Sequence, residues 1–270
     1  MTFPIRGILK LAGNLLRRSW LPLVLVTLVH LLPKLVTQLL QGLVLGEPWR
    51  DAFITSNGFG PAAWALIAVS WFLHGFHMSA VTEIALRTAA TKPIKPGALI
   101  LSASVNAIPI LLLHTLLEIV IAIGAVFLVV PGLFLGAAFS LVVPVYVCEG
   151  KKMVEAWSQS FRLTSGRRLP IGALWFSIIL AVGLLTGSLL SVGISLEAVV
   201  HQFIPTLSLP PLPSPAPLSP FFTSPLGMML SILASQAYVV VLMVLNVAIY
   251  LGLRFHKGDS ANTQIAAIFE

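Results

Sequence analysis

From Leu99 to Cys148 the chain runs for 50 residues that are mostly apolar. A helix crosses about 30 Å of hydrocarbon with about 20 such residues, so this one run is too long for a single crossing. It must turn within itself, and Pro131–Gly132 is the natural break, because proline donates no backbone hydrogen bond and glycine permits a turn. The whole chain has the same character. Of its 270 residues 57% are hydrophobic and 9% charged, with a mean hydropathy of +0.98. A soluble domain carries about 25% charged residues, and disordered chains are poor in apolar ones. Both classes are excluded, leaving an all-α, polytopic transmembrane helix bundle.

Six spans are expected, at about 20–40, 61–86, 108–129, 132–147, 170–194 and 226–253. Residues 1–19 read as a basic amphipathic helix lying at the membrane surface. Ile5, Ile8, Leu9, Ala12, Leu15 and Leu16 fall on one face, with Arg6, Lys10, Asn14 and Arg17 on the other. The long apolar run behind it, with no small-residue cleavage pattern, reads as an uncleaved start to the first span. A second amphipathic segment at 151–165 has Val154, Trp157 and Phe161 on one face and ends near Gly166. Residues 99–107 are expected to be interfacial, with a kink at Pro109. Between 205 and 225 stand 8 prolines, which require an extended, non-helical outer loop.

The cations set the expected orientation. Segments 1–19, 87–98, 149–169 and 254–270 hold 4, 3, 5 and 2 of the 16 Lys and Arg, against Lys34 and Arg50 elsewhere. Cytoplasmic loops collect such residues, so both termini are expected in the cytoplasm. In a soluble chain the net charge of +7 would point to nucleic acid; here topology accounts for it, and no nucleic-acid partner is expected. A lone Cys148 forms no intramolecular disulfide.

The stretch Val130–Arg168 carries a recognisable order: Pro131–Gly132, Pro144, Glu149–Gly150, Ala156, Ser160, then Arg162–Arg167 reading RLTSGR. With the tail from Tyr250 through Leu253–Arg254 to Ile268–Phe269–Glu270, it resembles the membrane domain associated with glycerophosphoryl diester phosphodiesterases and its stand-alone bacterial relatives of unknown function. The resemblance implies six helices and residence in a bacterial plasma (inner) membrane. It implies no activity, since the phosphodiesterase chemistry of the fused proteins belongs to a separate soluble domain, for which this chain leaves no room.

Nucleotide, hydrolase and metal motifs are absent, no cofactor is indicated, and the chain does not read as an enzyme. Glu83 four residues before Arg87, and Glu149 beside Lys151, read as helix-end charges with local partners. Polar residues inside the spans are costly and turn toward a bundle interior. His30 and Lys34, His74 and His77, and His114 and Glu118 are such pairs at helical spacing, with His30, His74 and His114 near mid-depth. Two uses follow: interhelical hydrogen bonds, or a proton relay or metal site. Gly132-x-x-x-Gly136 and Gly183-x-x-x-Gly187, with Ser191 a turn further, suit close helix packing. Trp20, Trp49, Trp64, Trp157 and Trp175 fall mostly near predicted interfaces. Arg17, Arg18, Lys151, Lys152, Arg167 and Arg168 stand in a cationic collar that suits anionic headgroups. The sequence therefore supports a non-enzymatic membrane module acting on lipids or envelope partners, with a small-solute or proton-coupled transporter as the alternative.

Overall fold

The computed structural model describes the backbone of residues 5–43, 54–55, 58–59, 61–127, 129–203 and 225–254. The surroundings of side chains are described for 5–33, 64–124, 130–185, 187–188 and 232–254. Among the described residues eight helices follow in chain order: α1 (Ile5–Leu43), α2 (Pro61–Ala89), α3 (Pro96–Phe127), α4 (Val129–Phe139), α5 (Val142–Glu149), α6 (Met153–Leu163), α7 (Arg168–Phe203) and α8 (Pro225–Arg254). Six stretches are long and apolar enough to cross a membrane: Ile5–Pro33, Trp64–Ala89, Pro96–Gly124, Val130–Glu149, Arg168–Leu185 and Ile232–Arg254. The chain is an all-α, multi-pass membrane protein. The proline-rich stretch expected as an outer loop lies outside the described residues up to Pro225, where α8 begins.

Prolines mark the starts and the faults of these helices. α2, α3 and α8 each begin on one, Pro61, Pro96 and Pro225, where a missing N–H costs nothing and the ring presets the backbone. Inside a helix the ring instead clashes with the carbonyl four residues earlier. Pro22 accordingly sits four residues after Arg18, and Ser19 leaves the helical conformation (φ −116°, ψ 17°), dividing α1 where the surface segment was expected to meet the first span. The Ser19 hydroxyl donates to the Leu15 carbonyl at 2.6 Å, engaging one acceptor at the kink.

Three expectations are corrected here. Residues 99–107 are not a separate segment: α3 runs unbroken from Pro96 through Pro109 to Phe127. Pro131–Gly132 is not the turn between the third and fourth spans. Both residues lie within α4, and Pro131 occupies its first turn, whose N–H groups have no helical partner in any case. The fourth span is not one helix either, because α4 and α5 are interrupted at Ser140–Leu141. Pro144, four residues past Ser140, is the physical cause.

The chain divides into two compact units. The first comprises Met1–Val29, Trp71–Ile178 and Val239–Glu270. Its helices form a closed circuit of close contacts. The Thr27 hydroxyl of α1 meets His77 of α2 at 3.1 Å. Gly75 of α2 packs on Ala107 of α3 so tightly that an added methyl would collide with the Ala107 carbonyl. Gly124 of α3 faces Gly132 of α4, where an added Cβ would stand 3.0 Å from the Gly132 Cα. Gly172 of α7 lies against the Leu133 backbone of α4. Trp175 of α7 donates to the buried Asn246 side chain of α8 at 3.1 Å. Gly252 of α8 meets Ile8 of α1 and closes the circuit. Small residues at four of these contacts let backbones approach where lipid supplies no hydrophobic drive between helices. Ile8, Ala12 and Leu15 belong to this unit's core, with Met78, Ile84, Leu141, Val145, Leu245 and Ile249. The amino-terminal helix is thus packed into protein along one face, while Ile5 and Leu9, expected beside them, are exposed.

The second unit comprises His30–Ser70 and Ile179–Tyr238. It contains a pair of two-residue antiparallel strands, β1 (Ile54–Thr55) and β2 (Gly58–Phe59), with Ile54 opposite Phe59. Within it His30, Leu31 and Gln236 are buried, while Trp64, Val69, Leu180 and Leu184 are exposed, as lipid-facing positions are.

Candidate functional site

The interruption in the fourth span frees backbone groups that a bilayer cannot satisfy, and the chain satisfies several with hydroxyls. Ser140 donates to the Ala137 carbonyl at 3.1 Å. The others come from α6. Ser160 accepts from the Leu141 N–H at 3.2 Å and donates to the Ala138 carbonyl at 2.9 Å. Thr164, one turn on, reaches the same Ala138 oxygen at 3.1 Å and the Ser160 carbonyl at 2.9 Å. This use of Ser160 and Thr164 escaped sequence reasoning. Its trace was a pair of hydroxyls four residues apart, a dozen or more residues after a proline that had to break a helix.

This docking decides which face of α6 is buried in protein. Its buried face is Ala156, Gln159 and Ser160, followed by Thr164, which are small or polar. The apolar residues Val154, Trp157 and Phe161 lie outside that buried face. Val154 is 80% exposed and Phe161 42%, and Trp157 rests on Phe139 with ring centroids 4.6 Å apart. Gly166 (φ +73°) adopts the left-handed backbone that ends such a segment.

The cations expected to meet headgroups divide into three kinds. Lys151 is taken by Glu149 at 3.0 Å, and Glu149 also accepts from Tyr250 at 3.0 Å and lies 4.0 Å from Arg254. This knot ties the end of α5 to the end of α8 and removes Lys151 from the lipid-facing set. Arg168 is folded back: its guanidinium lies 3.6 Å from the Phe161 ring centroid and 4.9 Å from that of Phe134, and it donates to the Phe161 carbonyl. Arg17, Arg18, Lys152 and Arg167 have no carboxylate within ion-pair distance among the described residues. Beside them stand exposed Trp20 and Leu21, Val154, and Leu169, the last 82% exposed. Glu83 and Arg87 do pair, at 2.8 Å.

The intramembrane polar residues are divided between the two units. Three come together in the first unit. His114 donates to Glu118 across one turn of α3 at 3.0 Å, and the His74 ring of α2 lies 5.5 Å from that of His114. The Gly75–Ala107 contact sets that spacing, since it brings α2 against α3 one residue from His74. His77 turns instead toward α1. The Thr27 hydroxyl proton is engaged by the Leu23 carbonyl at 2.7 Å, so the His77 Nε2–H is the donor to Thr27. His30 is buried in the second unit, and the Lys34 side chain lies outside the described residues. Among the described residues no group of three or more His, Cys, Asp and Glu is arranged to hold a metal ion.

No family model, curated protein or solved structure matches the chain.

Proposed function

We propose that this membrane protein is a non-enzymatic module that gathers anionic phospholipid at its cation-rich face, through Arg17, Arg18, Lys152 and Arg167 and the apolar side chains beside them. The observation that carries the reading is their electrostatic state: these cations have no carboxylate partner among the described residues, while Lys151, Arg87 and Arg254 stand near one. Exposed apolar groups flanked by uncompensated cations match the acyl boundary and headgroup layer of an acidic leaflet. On the distribution of Lys and Arg that face is the cytoplasmic one, and a bacterial plasma membrane is the proposed residence. Kinship with the membrane-domain family named above belongs to the same proposal. The residues that prompt it include Pro144, Ser160 and Thr164, which break the fourth span and close the break.

The test compares wild-type protein with a variant carrying Arg17→Gln, Arg18→Gln, Lys152→Gln and Arg167→Gln. Both are reconstituted into mixed phosphatidylglycerol–phosphatidylcholine vesicles and probed with spin-labelled versions of each lipid. Each surface cation is worth about 1 kcal/mol toward acidic lipid, so the wild type should prefer phosphatidylglycerol and the variant should lose about fivefold or more of that preference. Equal affinity of the wild type for the two lipids would refute the reading. Reporter fusions at the two termini test the orientation.

A further inference from the structure

We infer that Glu118, held by His114 and backed by His74, is a proton-exchanging carboxyl site that opens to the acyl chains of the bilayer.

A carboxylate inside a span ordinarily turns inward, toward protein or a water-filled cavity. Glu118 does the opposite, with 65% of its side chain exposed. On its own side of α3 the next turn presents exposed Ala122, and round to one side lie Leu116, Ile119 and Ile123, all exposed and apolar. So is Ile100, about five turns earlier on the same line of the helix. The carboxylate therefore stands at the edge of a lipid-facing stripe, and its other side is held by the His114 imidazole at 3.0 Å.

An isolated anion is not stable in that setting. The pair removes the charge by sharing one proton, present either as imidazolium beside carboxylate or as neutral imidazole beside carboxylic acid. Both forms are neutral overall, and they differ only in which side of a single hydrogen bond carries the proton. His74 adds a second imidazole, its ring 5.5 Å from the first. The three groups form a short row of contacts, His74 to His114 to Glu118, in which the proton is shared between the last two.

The charges that bear on the row are few. From α2 the group that faces it is His74, since His77 is turned to Thr27 and Glu83 is paired with Arg87. α4, packed against α3, carries no titratable side chain. Those of α5, also packed against α3, are Tyr146, Cys148 and Glu149, gathered at that helix's end.

A carbodiimide tests this directly, because it adds to a carboxyl only in the protonated form and leaves a stable acylurea that mass spectrometry locates. Full-length protein in vesicles is treated in parallel with dicyclohexylcarbodiimide, which partitions into lipid, and with a water-soluble carbodiimide. The expected result is an adduct on Glu118 from the lipid-soluble reagent, at least about tenfold faster than from the soluble one. Its rate should fall about tenfold per pH unit at the alkaline end of the profile, as the reactive form is depleted. Glu118→Gln should abolish the adduct. His114→Gln, which keeps a donor but binds no proton, should displace the pH profile. Three results would overturn the inference: no adduct on Glu118 at any pH, equal rates with the two reagents, or a profile unmoved by His114→Gln.

Discussion

Thr91 stands at φ +53°, where β-branched residues are rarely found. The backbone around it explains why. The Lys92 N–H bonds the Arg87 carbonyl at 2.9 Å and the Thr91 N–H bonds that of Thr88 at 3.2 Å, the paired bonds that close a helix with a left-handed residue, usually glycine. Gly150 (φ +59°) ends α5 in the same backbone conformation without the side-chain cost. Thr91→Gly should therefore raise stability by about 0.5–1 kcal/mol, the relief of left-handed strain less the entropy glycine brings, seen as a higher midpoint of thermal unfolding in detergent. Ser160 offers a contrast. Ser160→Ala would strip a buried N–H and one donor to a carbonyl at a depth where water does not replace them, and should cost about 1–3 kcal/mol. Thr164→Val should cost less, since Ala138 keeps its bond from Ser160. Equal losses for the two variants would show that the interruption is held by packing instead.

At the scale of the helix the deciding feature is how close two backbones come. α2 and α3 meet at Gly75, where a single methyl would strike the Ala107 carbonyl. Gly75→Ala must push the helices apart, with a cost of about 1–3 kcal/mol for overpacking. It should also part His74 from His114, so the imidazole resonances of both should shift in nitrogen NMR spectra. The equivalent change at Gly183, where a built Cβ meets nothing within 4 Å, should leave stability unchanged. These two glycines look alike in the sequence. Runs of apolar residues revealed that helices cross the membrane, because oil admits little else. They did not reveal where α3 starts, since Pro109 suggests a break that the helix running from Pro96 does not make. Nor did they reveal which side of α6 is buried, because a segment lying at an interface has apolar neighbours on two sides, protein and lipid.

For the molecule as a whole, the first unit is held as a circuit whose links differ in kind: a hydroxyl on an imidazole, three glycine contacts among α2, α3, α4 and α7, an indole on an amide, and Gly252 against Ile8. Trp175, assigned from sequence to the interface, serves as one of those links. Trp175→Phe would leave the buried Asn246 carbonyl unanswered and should lower stability by about 1–3 kcal/mol. A closed circuit also predicts that the loss is felt by the unit as one cooperative transition, with amide exchange accelerated in α1 as well as in α7 and α8; exchange quickened only around Trp175 would show that the links act separately. The candidate site divides along the same lines. Its residue types and helical spacings were legible, because a histidine or carboxylate within an apolar run is conspicuous. Its partners were not, because His77 finds Thr27 and His114 finds His74 through packing between segments far apart in the chain.

The fourth crossing is finished by residues that follow it, and this sets an order of events during synthesis. When Pro144 enters the bilayer, the groups that will satisfy the Leu141 amide and the Ala138 carbonyl lie 19 and 22 positions downstream, still within the ribosome and its exit tunnel. Until they emerge this segment must remain sheltered in the translocation channel or beside a chaperone, and its release into lipid is timed by the arrival of Ser160.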